Sequence, residues 1–134
     1  MGMFSEQEIV YLGSQRLARI GTVSPAGQPD VAPVSFTFEG SYFLVGGANP
    51  TRTLKYLNVQ RGNSRIALVI DDLEAVEPWK PRGIKIHGRA AIIAGGVLRI
   101  TPIIHWSWGI EGPVWEAGSF VVKKVKWPDT EQPQ

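Results

Sequence analysis

The sequence predicts a mainly β protein, a closed antiparallel barrel carrying short helices. Three observations point there. Short runs rich in Val, Ile, Thr and aromatic residues recur along most of the chain with apolar and polar positions alternating. Gly, Pro, Asn and Ser clusters separate those runs. Only two segments carry helical signals, too few to cover both faces of a doubly wound sheet. At 134 residues the chain makes one domain, with 1–126 as the barrel and 127–134 as a solvated tail.

The first element is a helix from about Glu6 to Leu12. Ser5 and Glu8 have the spacing of a capping box, Phe4 and Ile9 that of a hydrophobic staple, and Gly13 a terminator's place. Leu17 to Val23 is the first strand, and Ser24-Pro25-Ala26-Gly27 turns the chain. Val31 to Phe38 alternates, with Ala32, Val34, Phe36 and Phe38 on one face and Val31, Pro33, Ser35 and Thr37 on the other. Pro33 cannot donate to a ladder, so this strand belongs at an edge or a bulge. Glu39-Gly40 returns the chain into Tyr42 to Val45 as a hairpin. A short helix is expected to start near Thr51 and end before Gly62. Strands follow over Arg65 to Ile70, Gly83 to Ile93, Val97 to Ile100 and Ser119 to Val125.

Composition narrows the chemistry. Hydrophobic residues make up 43% and charged residues 19%, a globular balance. A net charge of +2 is too small to argue for nucleic acid unless the cations cluster. The absence of cysteine excludes disulfides, thiolate metal sites and cysteine nucleophiles, and two histidines make a poor metal set. The first residues have no signal-peptide pattern, and Glu6 breaks the myristoylation pattern. No apolar run has membrane-spanning length, so a cytoplasmic protein without membrane partners is expected.

Two segments could bind an anionic ligand. In Trp79-Lys80-Pro81-Arg82-Gly83-Ile84-Lys85-Ile86-His87, a proline fixes an indole and a guanidinium before a strand that puts Lys85 and His87 on one face. A proline turn feeding an edge strand accounts for the same pattern. In Asn49-Pro50-Thr51-Arg52-Thr53-Leu54-Lys55, hydroxyls and two cations three apart stand at a helix start, as a phosphate requires. A solvated basic helix face would look alike, and the ending of a Walker loop is missing.

Several blocks together are similar to one family. They are Arg16-Leu17-Ala18-Arg19-Ile20-Gly21-Thr22-Val23, Val31-Ala32-Pro33-Val34, Thr53-Leu54-Lys55-Tyr56-Leu57-Asn58-Val59, Ile66 to Asp72, Pro78 to Ile84, Leu98 to Pro102 and Ser107-Trp108-Gly109. In that order they resemble the flavin-binding split-barrel superfamily typified by pyridoxamine 5'-phosphate oxidase, and its F420-dependent branch in particular. The resemblance implies a six-stranded antiparallel split barrel of the FMN-binding type. It also implies a homodimer with a flat redox cofactor in each of two clefts, either coenzyme F420 or FMN. By the same resemblance Val31, Pro33, Val34 and Ser35 lie against the cofactor ring, and Thr53 and Lys55 hold its phosphate. The Trp79 to Arg82 segment and Trp108 wall the cleft. Leu57 stands where many relatives have an arginine, so Arg52 is expected to substitute for it. A basic surface of Arg52, Lys55, Arg82 and Lys85 would suit a long anionic tail.

No side-chain catalyst is expected. Asp71 and Asp72 point to opposite faces of a strand or cap the turn that follows it. His87 reads as a strand-surface residue, and His105 as a cleft wall or a buried, satisfied side chain. Ser14, Ser35 and Ser107 have no visible His/Asp partners. Of the five tryptophans, Trp79 is the one expected to line a site. The implied activity is hydride transfer from reduced F420 to an unsaturated small-molecule substrate. An FMN-dependent oxidase or reductase is the alternative, and a non-catalytic flavin or haem carrier is a third reading.

Overall fold

Ser5 opens the first helix in the computed structural model, which describes residues 2–47 and 49–128. Its hydroxyl accepts from the Glu8 amide at 3.2 Å, and the Glu8 carboxylate accepts from the Ser5 amide at 2.9 Å, completing the capping box. This helix, α1, spans Glu6–Ser14 and runs through Gly13. The staple is not formed. Ile9 remains 43% exposed, while Phe4 sinks among Phe38, Phe43 and Trp127 because that aromatic cluster offers it more buried area.

The strands are β1 Leu17–Val23, β2 Pro29–Ser35, β3 Thr37–Phe38, β4 Phe43–Val45, β5 Arg65–Ala75, β6 Lys80–Ile93, β7 Val97–Trp108, β8 Trp115–Glu116, β9 Ser119–Phe120 and β10 Lys123–Lys126. One antiparallel sheet has the order β2-β1-β5-β6-β7-β4-β3, with β10 also on β7. β2 and β3 lie at opposite ends of that order, yet only Phe36 separates them in sequence. The sheet therefore has to curl back on itself, giving a split barrel. Phe36 turns inward onto Phe43 at the crossing, which divides the single strand expected over Val31 to Phe38. Pro33 sits on the edge strand, where its missing N–H costs no ladder bond.

Inside the curl, Ile20, Leu68, Ile70, Ile84, Ile86, Leu98, Ile100 and Phe43 are almost fully buried. Burying each such side chain is worth about 1.5–3 kcal/mol. β5, β6 and β7 run longer than their sequence patterns suggest, β6 by starting at Lys80. β5 continues through Asp71 and Asp72, because each carboxylate finds a cation on its own face of the sheet: Asp71 pairs with Arg19 and Asp72 with Arg82. β7 passes Pro102 because the β6–β7 register shifts there, opposite His87 and Gly88, and a bulge accommodates the proline. The last expected strand breaks at Val121 and Val122. Its first part pairs with β8 as a separate hairpin and its second part with β7.

The second helix also starts later than expected. Pro50–Arg52 form one 3₁₀ turn, and α2, Leu54–Gln60, begins only after Thr53, whose hydroxyl accepts from the Tyr56 amide at 3.4 Å. Pro50 cannot donate its backbone nitrogen, so the chain tightens before the α-helical pattern can start. Asn58 of α2 donates to the Thr22 hydroxyl at 2.9 Å, with both residues 2% exposed. Asn58→Ala is expected to lower stability by about 1–3 kcal/mol, since a buried hydroxyl loses its donor. An unchanged urea midpoint would show that this bond does not tie α2 to the barrel. Among the described residues no helix is long and apolar enough to cross a membrane.

Candidate functional site

The outward face of the sheet is built from cross-strand rows. One row runs Val31, Gly21, Ala67, His87, Ile104, and the next runs Pro33, Arg19, Val69, Lys85, Trp106, Lys124. Gly21 and Ala67 project almost nothing, so the first row sinks into a cleft of about 500 Å³. Val31, His87, Gly88 and Ile103 line it, with Asp30 and Arg65 as its charged members. Val31 is 70% exposed on the open edge of β2. Pro33 and Ser35 share its outward side, whereas Val34 is buried inward.

Lys55 does not line this cleft but stands near Asp30, which does. The lysine is only 9% exposed, and among the described residues it makes no ion pair or hydrogen bond. Burial pushes its ammonium pKa below the usual lysine value, and the nearby Asp30 carboxylate opposes that shift. Asp30 thus connects Lys55 to the cleft that it lines. Thr53 is committed to the helix, since its hydroxyl also donates to the Pro50 carbonyl at 2.8 Å. Arg52 is exposed on the preceding 3₁₀ turn.

Of the other expected cations, Lys85 shares the outward face with the cleft and Arg82 does not. Lys85 stands on the outward face with its ammonium 4.4 Å from the centre of the Trp106 ring, and Lys124 approaches the same ring at 6.0 Å. His87 meets Trp106 edge-on at 4.8 Å. Arg82 points to the opposite side of β6, as strand alternation requires. There it makes a two-pronged pair with Asp72 at 2.8 and 3.0 Å and lies 5.2 Å from the centre of the Tyr11 ring. Tyr11 completes the group by donating its hydroxyl to Asp72 at 2.8 Å. Trp79 is exposed in the β5–β6 connection, where its carbonyl accepts from the Trp115 indole at 2.9 Å. Trp108 lies across Gly83 and tilts against Phe120.

Sequence reasoning missed Trp106, because an indole within an apolar run reads as core. It also missed the partners of Glu8. That carboxylate is wholly buried, accepts from Ser107 at 2.6 Å and lies 3.2 Å from His105 and 3.3 Å from Lys123. The indole of Trp127 donates to His105 Nδ1 at 2.9 Å, so His105 carries its proton on Nε2 and donates to Glu8. His105 is therefore a buried, satisfied side chain and not a cleft wall. Trp127, the first residue of the expected tail, packs on Phe4 and His105.

The chain matches the pyridoxamine 5'-phosphate oxidase family over residues 5–99. It is 36% identical over 122 residues to 5a,11a-dehydrotetracycline/5a,11a-dehydrooxytetracycline reductase of Streptomyces rimosus, covering 81% of this chain and 85% of that one. Among solved structures, an F420 reductase superposes with a TM-score of 0.54 at 15% identity, over 68% of this chain and 89% of that one. A heme binding protein from Mycobacterium smegmatis superposes with a TM-score of 0.69 at 12% identity, over 94% of this chain and 60% of that one. At such identities these two structures speak for the fold alone.

Proposed function

We propose, from the premise that this chain belongs to the pyridoxamine 5'-phosphate oxidase family and is an oxidoreductase, that it reduces an unsaturated small molecule with hydride from reduced coenzyme F420. The observation that carries this reading is Lys55, nine-tenths buried near Asp30 of an apolar cleft and unpaired among the described residues. A largely buried lysine side chain whose ammonium still opens to solvent and lacks a partner among the described residues gains from an incoming anion, and a phosphorylated cofactor tail supplies one. A floor of Gly21 and the Ala67 methyl leaves room for a flat ring between the side chains of the cleft wall. The Streptomyces rimosus relative is named for a reduction of dehydrotetracyclines, which supports an unsaturated organic acceptor.

When bound, the reduced deazaflavin supplies the hydride. The chain's own residues bind and orient. Lys55 and Arg52 hold the tail, Thr53 keeps α2 in place beneath it, and the β2 edge from Val31 to Ser35 lies along the ring. Lys85 is kept on the same face by Trp106. Two chains pair as a homodimer, and Trp79 and Trp108 of one chain serve the cleft of the other, whereas Arg82, already matched by Asp72, has no part in it. Light scattering that gave a monomer at micromolar concentration would remove this shared cleft.

Titration with F420 and with FMN, followed by stopped-flow oxidation of the reduced deazaflavin against conjugated enones, tests the reading. A protein that purifies yellow, holds FMN tightly and ignores F420 would replace F420 with FMN, since both cofactors pair a tricyclic ring with a phosphorylated tail. Lys55→Ala is expected to weaken cofactor binding about tenfold or more, through the loss of one charge-assisted bond. The loss should shrink at high salt. Unchanged affinity would put the phosphate elsewhere, near Lys85.

A further inference from the structure

The end of the barrel covered by α1 holds a second cavity, of about 640 Å³, which the hydride-transfer reading leaves unused. Val10, Tyr11 and Ile110 form its apolar wall, and Glu6, Glu74 and Arg82 are its charged members. A neighbouring hollow of about 450 Å³ shares Glu74, Gly109 and Ile110 with it and continues past Val114 to Trp115. Arg82 and Gly88 are six residues apart on β6, which at strand rise puts this groove roughly 20 Å from the cleft at Gly21.

The charge of the groove is not what its arginine suggests. Arg82 is matched by Asp72 through two hydrogen bonds, and the Tyr11 hydroxyl holds that carboxylate in place. The guanidinium is thus neutralised from within the fold. Glu6 and Glu74 make no ion pair among the described residues, although Glu74 also acts on Arg82 through space, and Lys80 enters only in the second hollow. The wall between them is apolar, and Val10, 70% exposed on α1, and Trp115, 46% exposed, open onto it. An anion would be repelled here, whereas a flat apolar body carrying a positive charge is complementary in both respects.

We infer that this groove is a second small-molecule site and that it takes a flat, fused-ring organic cation, its amine toward Glu6 and Glu74 and its rings over Ile110 toward Trp115. The inference stands apart from the proposed hydride transfer, because it needs no cofactor. The test is fluorescence titration of the full chain with 9-aminoacridine and with anthracene-9-carboxylate, two tricyclic probes of similar size and opposite charge. The cation should saturate and bind at least tenfold tighter than the carboxylate. Glu74→Gln and Val10→Arg, both at exposed positions, should each weaken the cation severalfold, and Lys55→Ala should leave it unchanged. Equal affinity for the two probes, or a cation affinity that neither variant moves, would overturn the site. Loss of cation binding in Lys55→Ala would place the probe in the other cleft and overturn it as well.

Discussion

Glu8→Ala should destabilise the protein by about 3–5 kcal/mol, because it removes one member of a buried, hydrogen-bonded charge cluster. Ser107, the His105 N–H, the Ser5 amide and Lys123 all converge on that carboxylate. Each would be left facing a void that a methyl group cannot fill. Lys123 retains Glu111 at 2.9 Å, but Ser107 and His105 are buried and would lose the acceptor they face. The same cluster gives stability a pH dependence with a definite sign. Burial alone would raise the Glu8 pKa. The hydrogen bonds from His105, Ser107 and the Ser5 amide outweigh it and hold the group at about 2, against 4.5 for the unperturbed group. A depressed folded-state pKa contributes stability that is fully present above the unfolded value and is lost as pH falls from about 5 toward 2. The shift is worth about 3 kcal/mol at neutral pH. Urea midpoints of the wild type and Glu8→Gln at pH 7 and pH 3 measure it. The wild type should lose more on acidification, and an equal loss in the two proteins would refute the cluster's role.

Gly83→Val should cost about 1–3 kcal/mol and dislodge the Trp108 ring. Gly83 pairs with Asp71 on one side and Trp108 on the other. A Cβ at Gly83 would stand 2.7 Å from the Asp71 Cβ, 2.7 Å from the Trp108 ring and 2.9 Å from the Ile70 carbonyl oxygen. Two of those neighbours are backbone or bound directly to it, so the strain cannot relax by a rotamer change alone. The indole is the only one free to swing, and swinging it breaks its contact with Phe120. A lower thermal midpoint with altered tryptophan emission is the expected readout. Trp108→Ala in the same chain should recover part of the loss, since the two positions touch. A fully additive double variant would show that the indole does not depend on the missing side chain.

Local signals held wherever the deciding interaction was local. The capping box at Ser5 and Glu8 formed because both partners lie within one helical turn. β1 begins and ends at Leu17 and Val23, where its alternating pattern begins and ends. The edge position of Pro33 followed from a single missing N–H. Elements went astray where a distant residue decides. Asp71 and Asp72 could face opposite sides of a strand or cap a turn, and it took Arg19 and Arg82 across the sheet to decide for the strand. The strand expected to end at Ile100 runs on to Trp108, because a bulge accommodates Pro102.

For the candidate site, the sequence by itself determined the residue types. Lys55 stands at a helix start, Val31 to Ser35 form an open edge, and Lys85 is placed on a polar strand face. Only the tertiary structure decided which of them meet. Strand alternation sends Lys85 and Arg82 to opposite sides of one sheet, and Asp72 then claims the arginine. Folding α2 onto the barrel buries most of the Lys55 side chain near Asp30. Curling the sheet brings Gly21, Ala67 and His87 into one cleft from strands far apart in the chain. Charge neutralisation and desolvation depend on distances through space, and those are set only when the sheet closes.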